Sequence, residues 1–308
     1  MAAPNTQPYH LPSDAVWFIS GCSSGIGQAL AQHMSKSTNR VVATARSPAA
    51  LSEIPDGDNV LKLQLDVTSI PSINAALKAT LEKWGRIDIV VNNAGYSVAG
   101  EAEGTGDAEA RTMMDTNFWG MVDISKRAIG IMRDENPKTG QQGGVIFNIS
   151  SVGGWGGFPG QSFYHASKFA MEGWTEAVAK ELPSAWNIHF SIIEPGGVKT
   201  KYATTSMKYT ESRHPAYLDP SFPASVMLAY LASDQGRENW AEPADLAATL
   251  YGLASAGKRL PIRLPLGPDA WGLVSADIES IKKDLEEFKP ISLSIGDAKQ
   301  LESASFLL

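Results

Sequence analysis

The stretch that decides the fold is Val16-Trp17-Phe18-Ile19-Ser20-Gly21-Cys22-Ser23-Ser24-Gly25-Ile26-Gly27. Its first four residues are apolar without alternation, the pattern of a strand buried on both faces of a parallel sheet. The glycines that follow permit positive φ and let the backbone approach a ligand with no Cβ in the way. A helix running from this loop to about Lys36 would set unpaired N–H groups and the positive end of its dipole against a pyrophosphate. The spacing is G-x-x-x-G-x-G rather than G-x-G-x-x-G. For the loop taken alone, a glycine-bearing turn without a ligand is therefore the plainer alternative.

Outward from this loop the strand–helix rhythm repeats. Residues 41–44, 60–65, 87–91, 145–149 and 188–193 read as further strands, and 70–84, 108–133 and 163–182 as helices. Alternating strands and helices imply an α/β, Rossmann-type, doubly wound parallel sheet with helices on both faces and right-handed crossovers. After residue 198 the rhythm changes. Residues 198–222 read as a long mobile loop, followed by helices near 224–235 and 243–256 and a last strand near 260–264. This gives one domain over 15–265, preceded by a flexible, proline-bearing lead-in at 1–14. A C-terminal extension follows at 266–308, with a helix over 276–288.

Composition narrows the function. Of 308 residues 43% are apolar and 19% charged, which excludes disorder as the dominant state. Acidic residues outnumber basic ones, 33 to 26, so no broad basic footprint exists for nucleic acid. Cys22 is the sole cysteine, which rules out an intrachain disulfide and a cysteine zinc cluster. His33, His189 and His214 lack metal-ligand spacing, and no metal is expected. The chain shows no basic-then-apolar start and no run of 18 apolar residues. The expectation is a cytoplasmic protein without an integral membrane segment.

Two further features bear on chemistry. Twenty positions beyond Gly25 stands Ala45, followed by Arg46. A carboxylate here would accept hydrogen bonds from a ribose 2′-hydroxyl, whereas a small residue beside a guanidinium suits a 2′-phosphate, favouring NADP. Ser151, Tyr164 and Lys168 form the second feature. Tyr164 and Lys168 are four apart on a predicted helix and share a face. An ammonium beside a phenol favours phenolate and brings it toward the working range of a general base. For the pair alone, a helix-surface contact is the plainer reading.

Taken together the chain resembles the short-chain dehydrogenase/reductase family. The likeness rests on Gly21 to Gly27, Asp66, Asn92-Asn93-Ala94-Gly95, Asn117, Asn148-Ile149-Ser150-Ser151, Tyr164-His165-Ala166-Ser167-Lys168 and Pro195-Gly196. It includes the 13-residue step from Ser151 to Tyr164, covers about residues 15–265, and is nearest the 17β-hydroxysteroid dehydrogenase-like branch. Ser20, where the family often has threonine, keeps the hydroxyl. The stretch beyond 265 is not accounted for.

The resemblance implies an oxidoreductase with Tyr164 as acid/base, Lys168 as its modulator and a ribose ligand, Ser151 on the substrate oxygen, and Asn117 supporting a proton-relay water. It implies a cofactor site of Gly21, Ser23, Ser24, Gly25, Ile26, Gly27 and Arg46, with Asp66 and Val67 against the adenine. Asn93, Ala94 and Gly95 would lie on the adenosine ribose side, and Pro195, Gly196, Val198 and Thr200 would edge the nicotinamide. A redox-neutral isomerase, cyclase or dehydratase, and a non-catalytic dinucleotide sensor, remain alternatives. Cys22 is read as a packing residue and His165 is given no role. Tyr96, Trp155, Phe158, Tyr202, Met207, Tyr209 and Tyr217 suggest a bulky apolar substrate, with Lys199 and Lys201 counting against it. The family also implies a homodimer or homotetramer built on the helices at 108–133 and 162–182. Phe118, Trp119, Met121, Phe169, Met171 and Trp174 would divide there between core and interface.

Overall fold

The computed structural model describes residues 4–201, 206–210 and 213–307. The opening strand is β1 (Val16–Ile19), and α1 (Gly25–Ser35) follows the glycine loop. The chain continues through β2 (Arg40–Ala45), β3 (Val60–Gln64), α2 (Ile70–Trp84), β4 (Ile89–Asn92) and a short β5 (Ser97–Ala99). Next come α3 (Asp107–Met114), α4 (Gly120–Asp134), β6 (Gly144–Ile149), α5 (Ser162–Glu181) and β7 (Ile188–Pro195). Then follow β8 (Met207–Tyr209), α6 (Pro223–Ala232), α7 (Asp234–Arg237), α8 (Pro243–Ser255) and β9 (Arg263–Leu266). The chain closes with α9 (Pro268–Glu287), α10 (Lys289–Ser292) and α11 (Ala298–Ser303).

Seven strands form one sheet in the order β3-β2-β1-β4-β6-β7-β9, and every pairing is parallel. The unbroken apolar runs are explained by burial on both faces. Trp17 and Ile19 join one core with Leu30, Met34 and Phe147, while Val16 and Phe18 join the other with Ile73, Ile124 and Phe190. Burying one large side chain of this kind contributes roughly 1.5–3 kcal/mol. The chain leaves β1 for β2 on one side and later returns to β4 on the other. That reversal opens a crevice at the carboxyl ends of the strands.

The structure differs from the sequence expectation in four places. The helix expected over 108–133 is interrupted by a π-helical segment, Asp115–Trp119, which carries the buried Asn117. Within the expected loop, β8 pairs in parallel with β5 outside the main sheet, and Thr210 N donates to Ala99 O at 3.0 Å. The lead-in is not loosely held from Asn5 onward. Asn5 donates to Phe190 O at 2.6 Å and Leu260 O at 3.1 Å and accepts from Phe190 N at 3.2 Å, and Tyr9 is buried. Since β9 pairs with β7 only from Ile192 onward, Asn5 satisfies strand groups that β9 leaves open. Finally, α9 begins eight residues earlier than expected, and its first turns bury Ala270 and Val274. Among the described residues no helix is long and apolar enough to cross a membrane.

Candidate active site

A cleft of about 710 Å³ opens where β1, β2, β4 and β6 end. Its floor at the glycine loop is shaped by close approach. Gly21 (φ 73°) and Gly25 (φ 61°) take left-handed conformations, and a Cβ on them would press on Ala94 Cα at 2.9 Å and on Thr200 at 3.0 Å. Ser20 latches the loop to the end of β4: its Oγ accepts from Asn93 N and Ala94 N, both at 3.0 Å. Asn93 Nδ2 answers by donating to Ser20 O at 2.9 Å and Gly21 O at 3.1 Å. The Ser24 side chain makes no capping bond at the amino end of α1, a helix start whose first-turn N–H groups suit an anion. Cys22 is buried in the core, and burial pushes its thiol up to about 12.

Gly21, Ser23, Ser24, Gly25, Ile26, Arg46, Asp66, Val67, Asn93, Ala94, Gly95, Tyr164, Lys168 and Thr200 all line the cleft. Fourteen of the expected site residues thus meet in one place. Thr68 donates to Asp66 Oδ1 through its hydroxyl at 2.7 Å and its N–H at 2.9 Å. Those bonds, with the Arg46 charge beside them, hold the Asp66 carboxyl below the usual range. Among the described residues the charged lining is Arg46, Asp66, Lys168, Lys201 and Lys208, four cations to one anion, a balance suited to a polyanionic dinucleotide.

The tyrosine and lysine meet as their spacing requires. Lys168 Nζ lies 5.7 Å from the Tyr164 ring centroid and donates to Ile149 O at 2.7 Å. Burial pushes the Lys168 ammonium down to about 8, against the opposing pull of Glu172. Near neutral pH such a lysine is still largely cationic and favours a phenolate at its neighbour.

Gly27, Asn117, Ser151, Pro195, Gly196 and Val198 do not line the cleft. Gly27 is buried beneath the loop. Asn117 is wholly buried, with Oδ1 accepting from Tyr96 N at 3.0 Å and Nδ2 donating to Tyr96 O at 2.9 Å and Ser167 Oγ at 3.1 Å. Its side chain braces the wall rather than facing it. Ser151 Oγ accepts from Gly153 N at 3.0 Å and caps the turn Val152–Gly154, while its neighbour Ser150 lines the cleft. The segment from Pro195 to Val198 is fastened from behind: Gly196 N donates to Leu266 O at 3.0 Å and Gly197 N to Asp269 Oδ2 at 2.7 Å.

Of the aromatic set expected to hold substrate, Tyr96 lines the cleft and Tyr202 lies outside the described residues. The rest are engaged elsewhere. Trp155 stacks under Arg263, Phe158 packs on His165, Met207 is buried with Leu228 and Leu231, and Tyr217 donates to Glu103 at 2.9 Å. Tyr209 is 45% exposed. The cleft instead adds Thr112, Thr116, Ser206 and Lys208, which sequence reasoning missed. Thr112 and Thr116 are four apart and share a helix face, a signal that was readable. Lys208 Nζ lies 5.0 Å from the Tyr96 ring centroid, a contact created by the β5–β8 pairing.

Residues 15–210 match the family model described as short chain dehydrogenase. The chain belongs to that family. It is 45% identical over 294 residues to the oxidoreductase calM of Penicillium decumbens, covering 94% of this chain and 95% of the relative. It is 32% identical over 254 residues to a 3-ketodihydrosphingosine reductase of Bacteroides thetaiotaomicron, covering 81% and 87%. Among solved structures, a short-chain dehydrogenase from Streptomyces avermitilis superposes with a TM-score of 0.77 at 30% identity, over 90% of this chain and 98% of that one. This short-chain dehydrogenase is therefore an oxidoreductase of the Rossmann type, from a family that binds a nicotinamide dinucleotide.

Proposed function

We propose that the protein is an NADP(H)-dependent oxidoreductase interconverting a bulky, largely apolar ketone and its secondary alcohol, with Tyr164 as acid/base. The observation that carries this is the Lys168 ammonium beneath the Tyr164 ring in a cleft of cationic balance. The cofactor supplies or accepts the hydride when bound. In reduction, the Tyr164 hydroxyl gives its proton to the carbonyl oxygen, Lys168 stabilises the phenolate left behind, and Ser151 hydrogen-bonds the same oxygen. Gly21 to Gly27 seat the phosphates, Arg46 takes the 2′-phosphate, and Lys168 also holds the ribose. Asp66 and Val67 flank the adenine, Asn93 to Gly95 lie against the adenosine ribose, and Pro195 to Val198 with Thr200 edge the nicotinamide. Asn117 serves from behind the wall, through Tyr96 and Ser167, in the proton path.

The Tyr96 ring supports a bulky, apolar substrate, as does likeness to a relative named 3-ketodihydrosphingosine reductase. The single buried cysteine fits a cytoplasmic protein. A homodimer or homotetramer through the helices at 108–133 and 162–182 belongs to the same proposal, supported by Trp119 of the π-helical segment and Phe169 of α5, which are 53% and 46% exposed. Absorbance at 340 nm with NADPH and aryl or long-chain ketones tests the reading. Tyr164→Phe is expected to lower kcat by about 10²–10⁴-fold while NADPH still binds. Near-full activity of that variant refutes the assignment.

A further inference from the structure

Behind Tyr164 and Lys168 lies a buried group of charges with no place in the cleft lining. Glu172 sits one turn beyond Lys168 on α5 and is 1% exposed. Its two oxygens have separate partners: Ser150 Oγ donates to Oε1 at 2.6 Å, and Arg263 Nη1 donates to Oε2. Arg263, on β9, also reaches Glu194 of β7 at 3.3 Å and Glu176 of α5 at 3.2 Å, and lies 5.5 Å from the Trp155 ring centroid. The charged groups facing Glu172 are thus Lys168 and Glu176 on its own helix, Glu194 from β7 and Arg263 from β9. The segment after β6 contributes the Ser150 hydroxyl and the Trp155 ring.

One guanidinium cannot fully compensate two buried carboxylates. Burial, with the charge of Glu172 close by, pushes the Glu194 carboxyl up to about 7. Among the described residues Glu194 Oε2 is buried with no N–H or hydroxyl donor bonded to it. At neutral pH Glu194 is therefore divided between its protonated and ionised forms. Burial raises the Glu172 carboxyl as well, and Ser150, Arg263 and Lys168 around it pull it back toward the ionised form. A Cβ at Gly154 would overlap both the Glu172 carboxylate and the Ser150 hydroxyl, so the turn Val152–Gly154 lies flat on Glu172. That is the turn whose N–H at Gly153 fixes the Ser151 hydroxyl.

We propose that Glu172 is a positioning residue for the reaction: its carboxylate keeps Lys168 an ammonium beneath Tyr164 and seats the turn that orients Ser151. The proposal rests on the functional reading above. Glu172 is the carboxylate that opposes the loss of the Lys168 proton to burial. Removing its charge lowers the pH at which Lys168 deprotonates, and the alkaline limb of the rate profile follows.

Glu172→Gln tests this, because it keeps an acceptor for Ser150 and removes only the charge. In protein with 15N-labelled lysine, the Lys168 signal is identified through Lys168→Arg. Its titration midpoint is expected to fall by about one pH unit, and the alkaline limb of kcat to fall with it. A merely structural role lowers kcat alike at every pH and leaves the midpoint in place; that result overturns the proposal. Ser150→Ala removes a bond to Glu172 without changing charge and leaves the midpoint near that of the wild type. Should Glu172→Gln not fold, Glu172→Gln/Arg263→Gln removes both members of that pair, with Glu176 still held by Lys180 at 2.6 Å, and is expected to shift the midpoint in the same direction. A shifted midpoint in a protein that reduces no ketone supports the Glu172–Lys168 coupling and refutes the reaction assigned to it, so the two readings fail separately.

Discussion

Replacing Asn117 by alanine separates a structural brace from a group that acts in the cleft. The side chain is fully buried and makes three hydrogen bonds, two to the Tyr96 backbone and one to Ser167. At about 1 kcal/mol net for each bond, the loss comes to about 3 kcal/mol. Unfolding entropy near 2.1 cal/mol/K per residue gives about 0.65 kcal/mol/K for this chain, so Tm should fall by about 5 °C. Ser167→Ala is the internal reference: it removes one of the three bonds and a second bond to Tyr164 O at 2.7 Å. Asn117→Ala should therefore melt below Ser167→Ala, and both below wild type, by circular dichroism or scanning calorimetry. The alanine variant should also bind NADPH more weakly, since Asn117 backs the cleft wall at Gly95, where a Cβ would meet its Oδ1 at 3.0 Å. An Asn117→Ala protein melting within about 1 °C of wild type contradicts the brace.

Arg46→Ala should weaken NADPH binding by about ten- to a hundredfold and leave NADH nearly untouched, measured by titrating each cofactor; equal effects on both remove Arg46 from 2′-phosphate recognition. If the proposed oligomer forms through Trp119 and Phe169, the double variant Trp119→Asp with Phe169→Asp should run as a folded monomer by light scattering, and a mass equal to that of a wild-type oligomer places the interface elsewhere. His189 supplies a pH dependence of stability. Burial lowers its pKa from 6.5 to about 4, so below pH 6.5 the unfolded chain gains a proton that the native state refuses until about pH 4. Stability from this group is complete above pH 6.5 and falls by up to about 3 kcal/mol on the way to pH 4. Denaturant titrations at pH 7 and pH 4.5 should show the slope, and His189→Phe should flatten it.

The features legible in the sequence are those whose meaning is local. Val16 to Gly27 carries a strand, a turn and a helix start within twelve residues, and each is formed. Tyr164 and Lys168 meet because four residues of helix bring them onto one face. What escaped reading depends on residues far apart in the chain. Ser97–Ala99 and Met207–Tyr209 are three-residue strands 110 positions apart, and neither has a period of its own. Asn5 resembles ordinary polar lead-in until β7 offers it backbone partners 185 residues away. Glu172 looks like a solvated helix charge, because nothing near it in sequence announces Arg263 or Glu194. The π-helical segment at Asp115–Trp119 is invisible for a related reason: the buried bonds of Asn117 to Tyr96 and Ser167 lie across the fold.

The separate pairing of β5 with β8 has an evolutionary consequence. These strands hydrogen-bond to each other and take no part in the seven-stranded sheet that carries the glycine loop. Lys208 enters the cleft from this small ladder and Tyr96 stands immediately before it, whereas Gly21, Arg46 and Asp66 come from the main sheet's own loops. Changes in the ladder can accumulate without disturbing the register of β1, β2 or β4. Inheritance can therefore keep the nucleotide half constant while the other half drifts, so that descendants of one ancestor come to accept different molecules through an unchanged grip on the same dinucleotide.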